Sequence, residues 1–367
     1  MVKKFLYKFG TLLILSVLVL GLLGCGTDEP DTTPAGSMTT PRWGHSATVL
    51  NDGKLLVVGG QERASGRVGT AEIYDPVSNS WSSAGSMIDP RGKAHSSVLL
   101  SDGKAMIIGD TESGSVEIYD PTSNTWTATG SLNKARNWVS ATLLSDGSVL
   151  IAGGEDANKS GRLALATAEV WDPATGEFSE TGAMAEQHAG HPAVLVGDKV
   201  LVVGQFSAEI YDPSTGTWSS AGKPPRERAV GGAAVVMSDG KVMVTGGEYQ
   251  RPGWTGATVQ TLSNTETYDP SENTWTQTSN MSDPRKFHSS MVLNDGRVVV
   301  IGSKDKGEKT AIDVYDPTVV EEIKWPNIGL LSETRSEAFT ASLLNDGRVI
   351  IVGGYFIDEN KKNKDCN

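Results

Sequence analysis

Apolar residues in this chain fall into short runs separated by polar turns, and the runs recur at a regular spacing. The clearest unit runs His45 to Leu50, then Asn51-Asp52-Gly53-Lys54, then Leu55-Leu56-Val57-Val58, and ends in Gly59-Gly60. It reads as strand, turn, strand, because Asp-Gly between two apolar runs is the strongest short-range hairpin signal; a two-residue primed turn there needs positive φ. The turn returns at Asp102-Gly103, Asp146-Gly147, Gly197-Asp198, Asp239-Gly240, Asp295-Gly296 and Asp346-Gly347, a mean period of about 49 residues from Asp52 to Asp346. Six of the seven hairpins are followed by a second one, marked by an aromatic pair seven residues apart, as in Tyr74 to Trp81, Tyr119 to Trp126, Trp171 to Phe178, Tyr211 to Trp218 and Tyr268 to Trp275. The sixth pair, Tyr315 to Trp325, is stretched to ten by Val319-Val320-Glu321-Glu322.

Four-stranded units with a diglycine, a Tyr and a Trp at a period near fifty resemble the kelch repeat, and the resemblance spans residues 38 to 356. It implies an all-β fold, a β-propeller in which the first strand of each blade lines the central channel. On that reading the diglycine lets backbones approach closely. Asp-Pro with Asn79, Asn124, Gly176, Gly216 or Asn273 makes the outer turn, and the Trp fills the gap between blades. Seven inner hairpins against six outer ones leave the last blade short. Thr33-Pro34-Ala35-Gly36-Ser37-Met38 is similar to Ser83-Ala84-Gly85-Ser86-Met87 at the close of an outer strand. The expected ring therefore has seven blades, the seventh closed by this amino-terminal strand with Tyr355 to Asp358 as a shortened third strand. The alternatives are an incomplete seventh blade or a six-bladed ring.

The amino terminus departs from the repeat. Lys3, Lys4 and Lys8 precede an uncharged apolar run from Phe9 to Gly24, the order of a secretory signal and too short for a comfortable membrane span. It ends in Leu22-Leu23-Gly24-Cys25, which resembles the lipobox of bacterial lipoproteins and implies an acylated Cys25. The domain reading is a signal peptide at 1–24, a lipidated cysteine and Pro/Thr/acid tether at 25–37, the propeller at 38–358 and a polar tail at 359–367. The implied place is the bacterial cell envelope, facing periplasm or exterior. If Cys25 is not lipidated, it can pair with Cys366 across the chain ends.

Composition narrows the chemistry. Of 367 residues 44 are acidic and 32 basic, a net charge of -12, which argues against nucleic acid because phosphate binding needs clustered cations. Two cysteines exclude a disulfide framework, a four-thiolate zinc site and an iron–sulfur ligand set, and copper-radical chemistry of the galactose oxidase kind lacks its cysteine-linked tyrosine. His188-Ala189-Gly190-His191 has a ligand-like spacing, but i and i+3 face opposite ways in a strand, so no metal and no cofactor is expected. Nucleotide and hydrolase signatures are absent.

The remaining candidates lie at the entries to the inner strands and in the loops between second and third strands. Arg42, Arg91, Arg136, Arg226, Arg285 and Arg335 precede six inner strands, with His45, His95, His191 and His288 following in four. Such a collar suits a carboxylate or other anion, since guanidinium matches planar oxyanions bidentately. The competing reading is blade-to-blade ion pairing, because Glu72, Glu117, Glu169, Glu209, Glu266 and Asp313 recur at matched period. Trp43 and Trp138 beside the collar, and Tyr249, Arg251 and Trp254 in the longest loop, break the repeat and suit sugar stacking or a protein hot spot. The expected function is capture of a protein or glycan partner by a lipid-anchored propeller without chemistry of its own. The alternative is a carbohydrate epimerase acting on an acidic sugar, by analogy of fold with kelch epimerases of sialic acids.

Overall fold

The computed structural model describes residues 18–21, 31–63, 66–161, 163–228, 230–249, 259–302, 310–319, 325, 327–330 and 338–354. Among them there are strands and turns and no α-helix. Six antiparallel sheets are each built from one consecutive stretch of chain, with four strands in order from the axis outwards. Blade 1 carries Ser46–Val49, Leu55–Val58, Gly66–Asp75 and Ser80–Arg91. Blade 4 carries Ala193–Val196, Lys199–Val203, Ala208–Asp212 and Thr217–Ser220. The first strand of each blade packs on the first strand of the next, and Phe339–Leu343 packs on both Ser289–Val292 and Ser46–Val49, so the inner strands make a closed ring.

The uniformly apolar second strands are buried along their length, as in Leu55–Val58 and Val149–Ala152, because a blade's two faces both meet neighbours. Seven apolar clusters fill the interfaces. One joins Leu56, Val58 and Ala71 to Ala105, Ile107 and Tyr119; two others flank the last sheet, against Val299 and Ile301 on one side and Leu55, Val57 and Tyr74 on the other. The outer Trp indoles reach back one blade to a backbone carbonyl: Trp126 Nε1 donates to Ala84 O at 2.7 Å and Trp275 Nε1 to Ala221 O at 2.7 Å. Trp81 makes the same bond to Ala35 O at 2.9 Å, which places Ala35 as the equivalent of Ala84 and Ala221.

That last sheet is assembled from distant parts of the chain, in the order Asp31–Pro34, Leu18–Gly21, Val349–Gly353, Phe339–Leu343. Its outer strand comes from the amino-terminal segment. Its third strand is Leu18–Gly21, paired Leu18 to Ile351 and Leu20 to Val349, where the sequence pattern pointed to Tyr355 to Asp358, which lie outside the described residues. An apolar run of four residues finds the open edge of the sheet and pairs with it.

The Asp-Gly turns also differ from expectation. Only the glycine is left-handed, Gly53 at φ 82°, and Leu50 N donates to Lys54 O at 2.8 Å, which makes a longer loop capped by Asp52 Oδ1 on Lys54 N at 3.1 Å. Blade 4 alone has a two-residue turn, Gly197-Asp198, between paired Val196 and Lys199.

Candidate functional site

In the six consecutive blades the inner strand is entered by a strap that crosses the top of its own blade, and the recurring acid of the third strand holds that strap down. Glu72 accepts from Thr39 N at 2.6 Å and Thr40 N at 3.1 Å, and Glu169 from Asn133 N at 2.7 Å and Lys134 N at 3.2 Å. The strap's arginine then returns to the same carboxylate. Arg42 lies 2.8 Å from Glu72, Arg91 3.3 Å from Glu117, Arg136 2.7 Å from Glu169 and Arg285 2.9 Å from Asp313. The rest of each guanidinium is engaged by carbonyls: Arg136 Nη1 donates to Gly153 O and Thr167 O, both at 2.8 Å. These arginines are at most 1% exposed, and burial draws their pKa down against the opposing pull of the acid. Arg42, Arg91, Arg136 and Arg285 are therefore ties within blades, where the sequence pointed to pairs from blade to blade.

One collar position holds another residue than the sequence reading named, and the position that reading left without an arginine is filled by a histidine. In blade 5 the buried partner of Glu266 is Arg228, its pKa lowered to about 10 by burial and by the charge of Arg226. Arg226 instead lies at the surface, 5.1 Å from the Tyr249 ring centroid, with Nη2 donating to Gln260 Oε1 at 3.0 Å. In blade 4, His188 takes the arginine's place, 3.3 Å from Glu209. Arg335, Arg251, Trp254 and Cys25 lie outside the described residues.

The recurring histidines join one blade to the one before. His45 Nε2 meets Thr340 Oγ1 at 2.9 Å, His191 Nε2 meets Ser140 Oγ at 3.0 Å and His288 Nε2 meets Thr245 Oγ1 at 2.7 Å. His95 Nδ1 lies 2.6 Å from Gly92 O, and its Nε2 lies 3.0 Å from Ser46 Oγ and 3.2 Å from Val58 O. Burial foremost lowers their pKa, to about 4 for His95 and about 3 for His191 and His288. The diglycine is explained by these rings. A Cβ on Gly153, at φ 61°, would stand 2.8 Å from His191 Cε1 and closer still to His188 O. Gly153→Ala is accordingly expected to destabilise the ring by about 2–4 kcal/mol, combining left-handed strain with overpacking; a denaturant midpoint equal to wild type would refute that account.

What remains open lies at the axis. The residues just before the inner strands form a girdle of backbone hydrogen bonds from blade to blade: Trp138 N to Ala94 O at 2.8 Å, Gly190 N to Trp138 O at 2.9 Å, Gly231 N to Gly190 O at 3.1 Å, Phe287 N to Gly231 O at 2.8 Å and Gly44 N to Ala338 O at 2.8 Å. Left-handed backbone aims each N–H at its neighbour, so Gly44, Gly190, Gly231 and Ala338 are small. Trp138 at φ 54° and Phe287 at φ 48° break that rule. They come from blades 3 and 6, on opposite sides of the mouth, and their half-buried rings meet with centroids 6.0 Å apart. Trp43 lies at the same mouth, half-buried, with Lys93 Nζ 5.5 Å from its ring centroid. The sequence reading thus placed Trp43 and Trp138 beside the mouth and missed Phe287, whose only signal is its alignment with Trp138 one residue before the repeated His or its substitute.

The family model of the kelch motif matches residues 42–88 and 229–282. No curated protein matches the chain. Among solved structures, a fungal alcohol oxidase described as having catalytic diversity among the AA5 family, in complex with copper, is similar with a TM-score of 0.68 at 17% identity, covering 86% of this chain and 75% of that one. The structure of YjhT is similar with a TM-score of 0.59 at 15% identity, covering 76% of this chain and 96% of that one. At such identities the likeness is one of fold. Copper does not fit the residues here: among the described residues no three His, Cys, Asp or Glu side chains gather to hold a metal, and the described imidazoles bond to neighbouring strands or straps.

Proposed function

We propose that this kelch-repeat β-propeller is a capture module, a seven-bladed ring closed by its amino-terminal strand, anchored to a bacterial envelope membrane through Cys25, that holds a protein or glycan partner at the channel mouth. The observation that carries the reading is the Trp138–Phe287 pair. A bulky side chain in left-handed backbone costs roughly 1–2 kcal/mol, and the positions around the same girdle accept glycine or alanine. Strain kept where a strain-free residue fits is a mark of function. Two half-buried aromatic rings meeting at the mouth provide a platform for a sugar face or an apolar side chain. Proton-transfer chemistry on an acidic sugar needs titratable groups open to the mouth, and the described arginines and histidines of the collar are buried in ties between and within blades, Arg226 and the half-buried His95 excepted.

The test is Trp138→Gly, which restores the small residue of the neighbouring positions. Thermal unfolding of the full chain is measured with millimolar N-acetylglucosamine, glucuronate and a short Trp-containing peptide; a probe at about 100 times its dissociation constant adds roughly 2.7 kcal/mol to the native state. The expected result is a shift with one probe class in the wild type that Trp138→Gly abolishes, with unliganded stability held within about 1 kcal/mol as relieved strain offsets lost ring contact. A shift that survives in both Trp138→Gly and Phe287→Gly would place binding elsewhere.

A further inference from the structure

The seam between blades 4 and 5 is filled differently from the others. At the end of the ring away from the mouth, the residue that follows each inner strand packs toward the next blade. In six blades it is a leucine or methionine, Leu50, Leu100, Leu144, Met237, Leu293 or Leu344, each at most 7% exposed. A longer turn sets it in place, its N–H donating to the carbonyl four residues on, as Leu144 N does to Ser148 O at 2.8 Å. Leu50 joins the apolar cluster that contains Tyr119 of blade 2, and Leu144 the one that contains Tyr211 of blade 4. In blade 4 the position belongs to Val196. The two-residue turn Gly197-Asp198 draws Val196 into a strand pair with Lys199, and Asp198 Oδ1 accepts from Ser145 Oγ of blade 3 at 3.0 Å, which ties the turn to the seam on its other side. Val196 is shorter than leucine by a methylene and is only half-buried.

The space at this seam is a cleft of about 260 Å³. Val196, Leu201 and Ile210 of blade 4 and Tyr268 of blade 5 make its apolar wall. Tyr268 is fixed by Trp275, with ring centroids 5.0 Å apart, and by its hydroxyl, which donates to Asn273 Oδ1 at 2.8 Å. Lys199, Ser219 and Asn273 supply polar groups at the rim. An apolar wall with a few polar groups is the usual make-up of a small-molecule site. A cavity of about 150 Å³ accepts benzene, so this cleft has room for one ring and a substituent. The charges at the rim cancel, because Lys199 Nζ is paired with Asp212 Oδ2 at 2.9 Å. A carboxylate entering there meets Asp212 as well as Lys199, and an ammonium competes with Lys199 for its partner. A neutral hydroxyl instead exchanges hydrogen bonds with the Ser219 hydroxyl or the Asn273 amide at no cost in charge.

We propose that the cleft between blades 4 and 5 binds a neutral aromatic alcohol of a single ring, at a second site separate from the capture surface. The inner strands run from the straps at the mouth to these turns, so the two sites lie at opposite ends of the ring. The experiment titrates the full chain, labelled at isoleucine, leucine and valine methyls, with millimolar benzyl alcohol, benzoate and benzylamine, which share a ring and differ in charge. It is repeated on Val196→Leu, which restores the residue of the other seams. Benzyl alcohol is expected to move the methyl resonances of Val196, Leu201 and Ile210 in a saturable way, at concentrations severalfold below those needed with either ion. In Val196→Leu the shifts at Leu201 and Ile210 disappear, while Tm stays at or above wild type because the seam is filled. No saturable shift at these methyls in the wild type, or the same shifts in a folded Val196→Leu, overturns the site. Benzoate or benzylamine binding as tightly as the alcohol overturns the ligand class.

Discussion

Arg136→Met is expected to lower the unfolding free energy by about 3–5 kcal/mol, because it leaves a carboxylate in the interior without its cation. Glu169 is 1% exposed, and its remaining contacts are Asn133 N at 2.7 Å, Lys134 N at 3.2 Å and Asn133 Nδ2 at 3.1 Å. Truncation at Arg136 also strips donors from Gly153 O, Thr167 O and Thr167 Oγ1. Methionine keeps most of the volume, so the loss reports charge and hydrogen bonding more than cavity. Arg136→Met with Glu169→Gln should recover a substantial part of the deficit, since the neutral amide still accepts from the strap. The pair of measurements separates the two readings of the collar. An arginine that serves a bound anion would leave unliganded stability near wild type and weaken only the response to acidic ligands. A denaturant midpoint unchanged in Arg136→Met would therefore restore the anion collar.

The repeat was legible because everything that marks it is local. The turn glycines, the diglycine and the aromatic pair each answer a backbone or packing demand within one blade or against its neighbour. The partner of each strap was legible less exactly. Counting back from the inner strand, the tie sits four or five residues before it, as Arg42 does before Ser46 and Arg91 before Ser96; this count selects Arg228 before Ala233 and sets Arg226 aside. His188 hid because a histidine in a collar suggests chemistry, whereas here it stands in for an arginine on Glu209. Phe287 was invisible for a different reason. Its left-handed backbone is imposed by the hydrogen bond to Gly231 O in the previous blade, a tertiary constraint with no local signature. The closing sheet was half legible: Ala35 announced the outer strand by its match to Ala84, while the third strand, Leu18–Gly21, is recruited by long-range pairing with Val349–Gly353 that has no local signature.

Lowering the pH from 7.5 to 5.5 is expected to cost the ring about 4 kcal/mol through His95, His191 and His288 alone. Burial holds their pKa at about 4, about 3 and about 3 in the folded ring, against roughly 6.5 in the unfolded chain. Above pH 6.5 these imidazoles are neutral in both states and stability is complete. Below it the unfolded chain takes up a proton at each while the folded ring takes none, so stability falls by about 1.4 kcal/mol per pH unit for each histidine until the folded pKa is reached. His188, also lowered chiefly by burial, adds to the same slope. The loss is structural as well as electrostatic. Protonation would change the donor and acceptor roles of the His95 ring toward Gly92 O, Ser46 Oγ and Val58 O, at the seam between blades 1 and 2. The measurement is the denaturant midpoint at pH 7.5 and pH 5.5 for wild type and His191→Gln. The variant starts weaker at pH 7.5 and loses about a third less on acidification, because glutamine cannot take the proton. Equal midpoints at the two pH values in the wild type would mean that the imidazoles titrate as in water, open to the mouth and available for proton transfer, and the capture reading would yield to the epimerase.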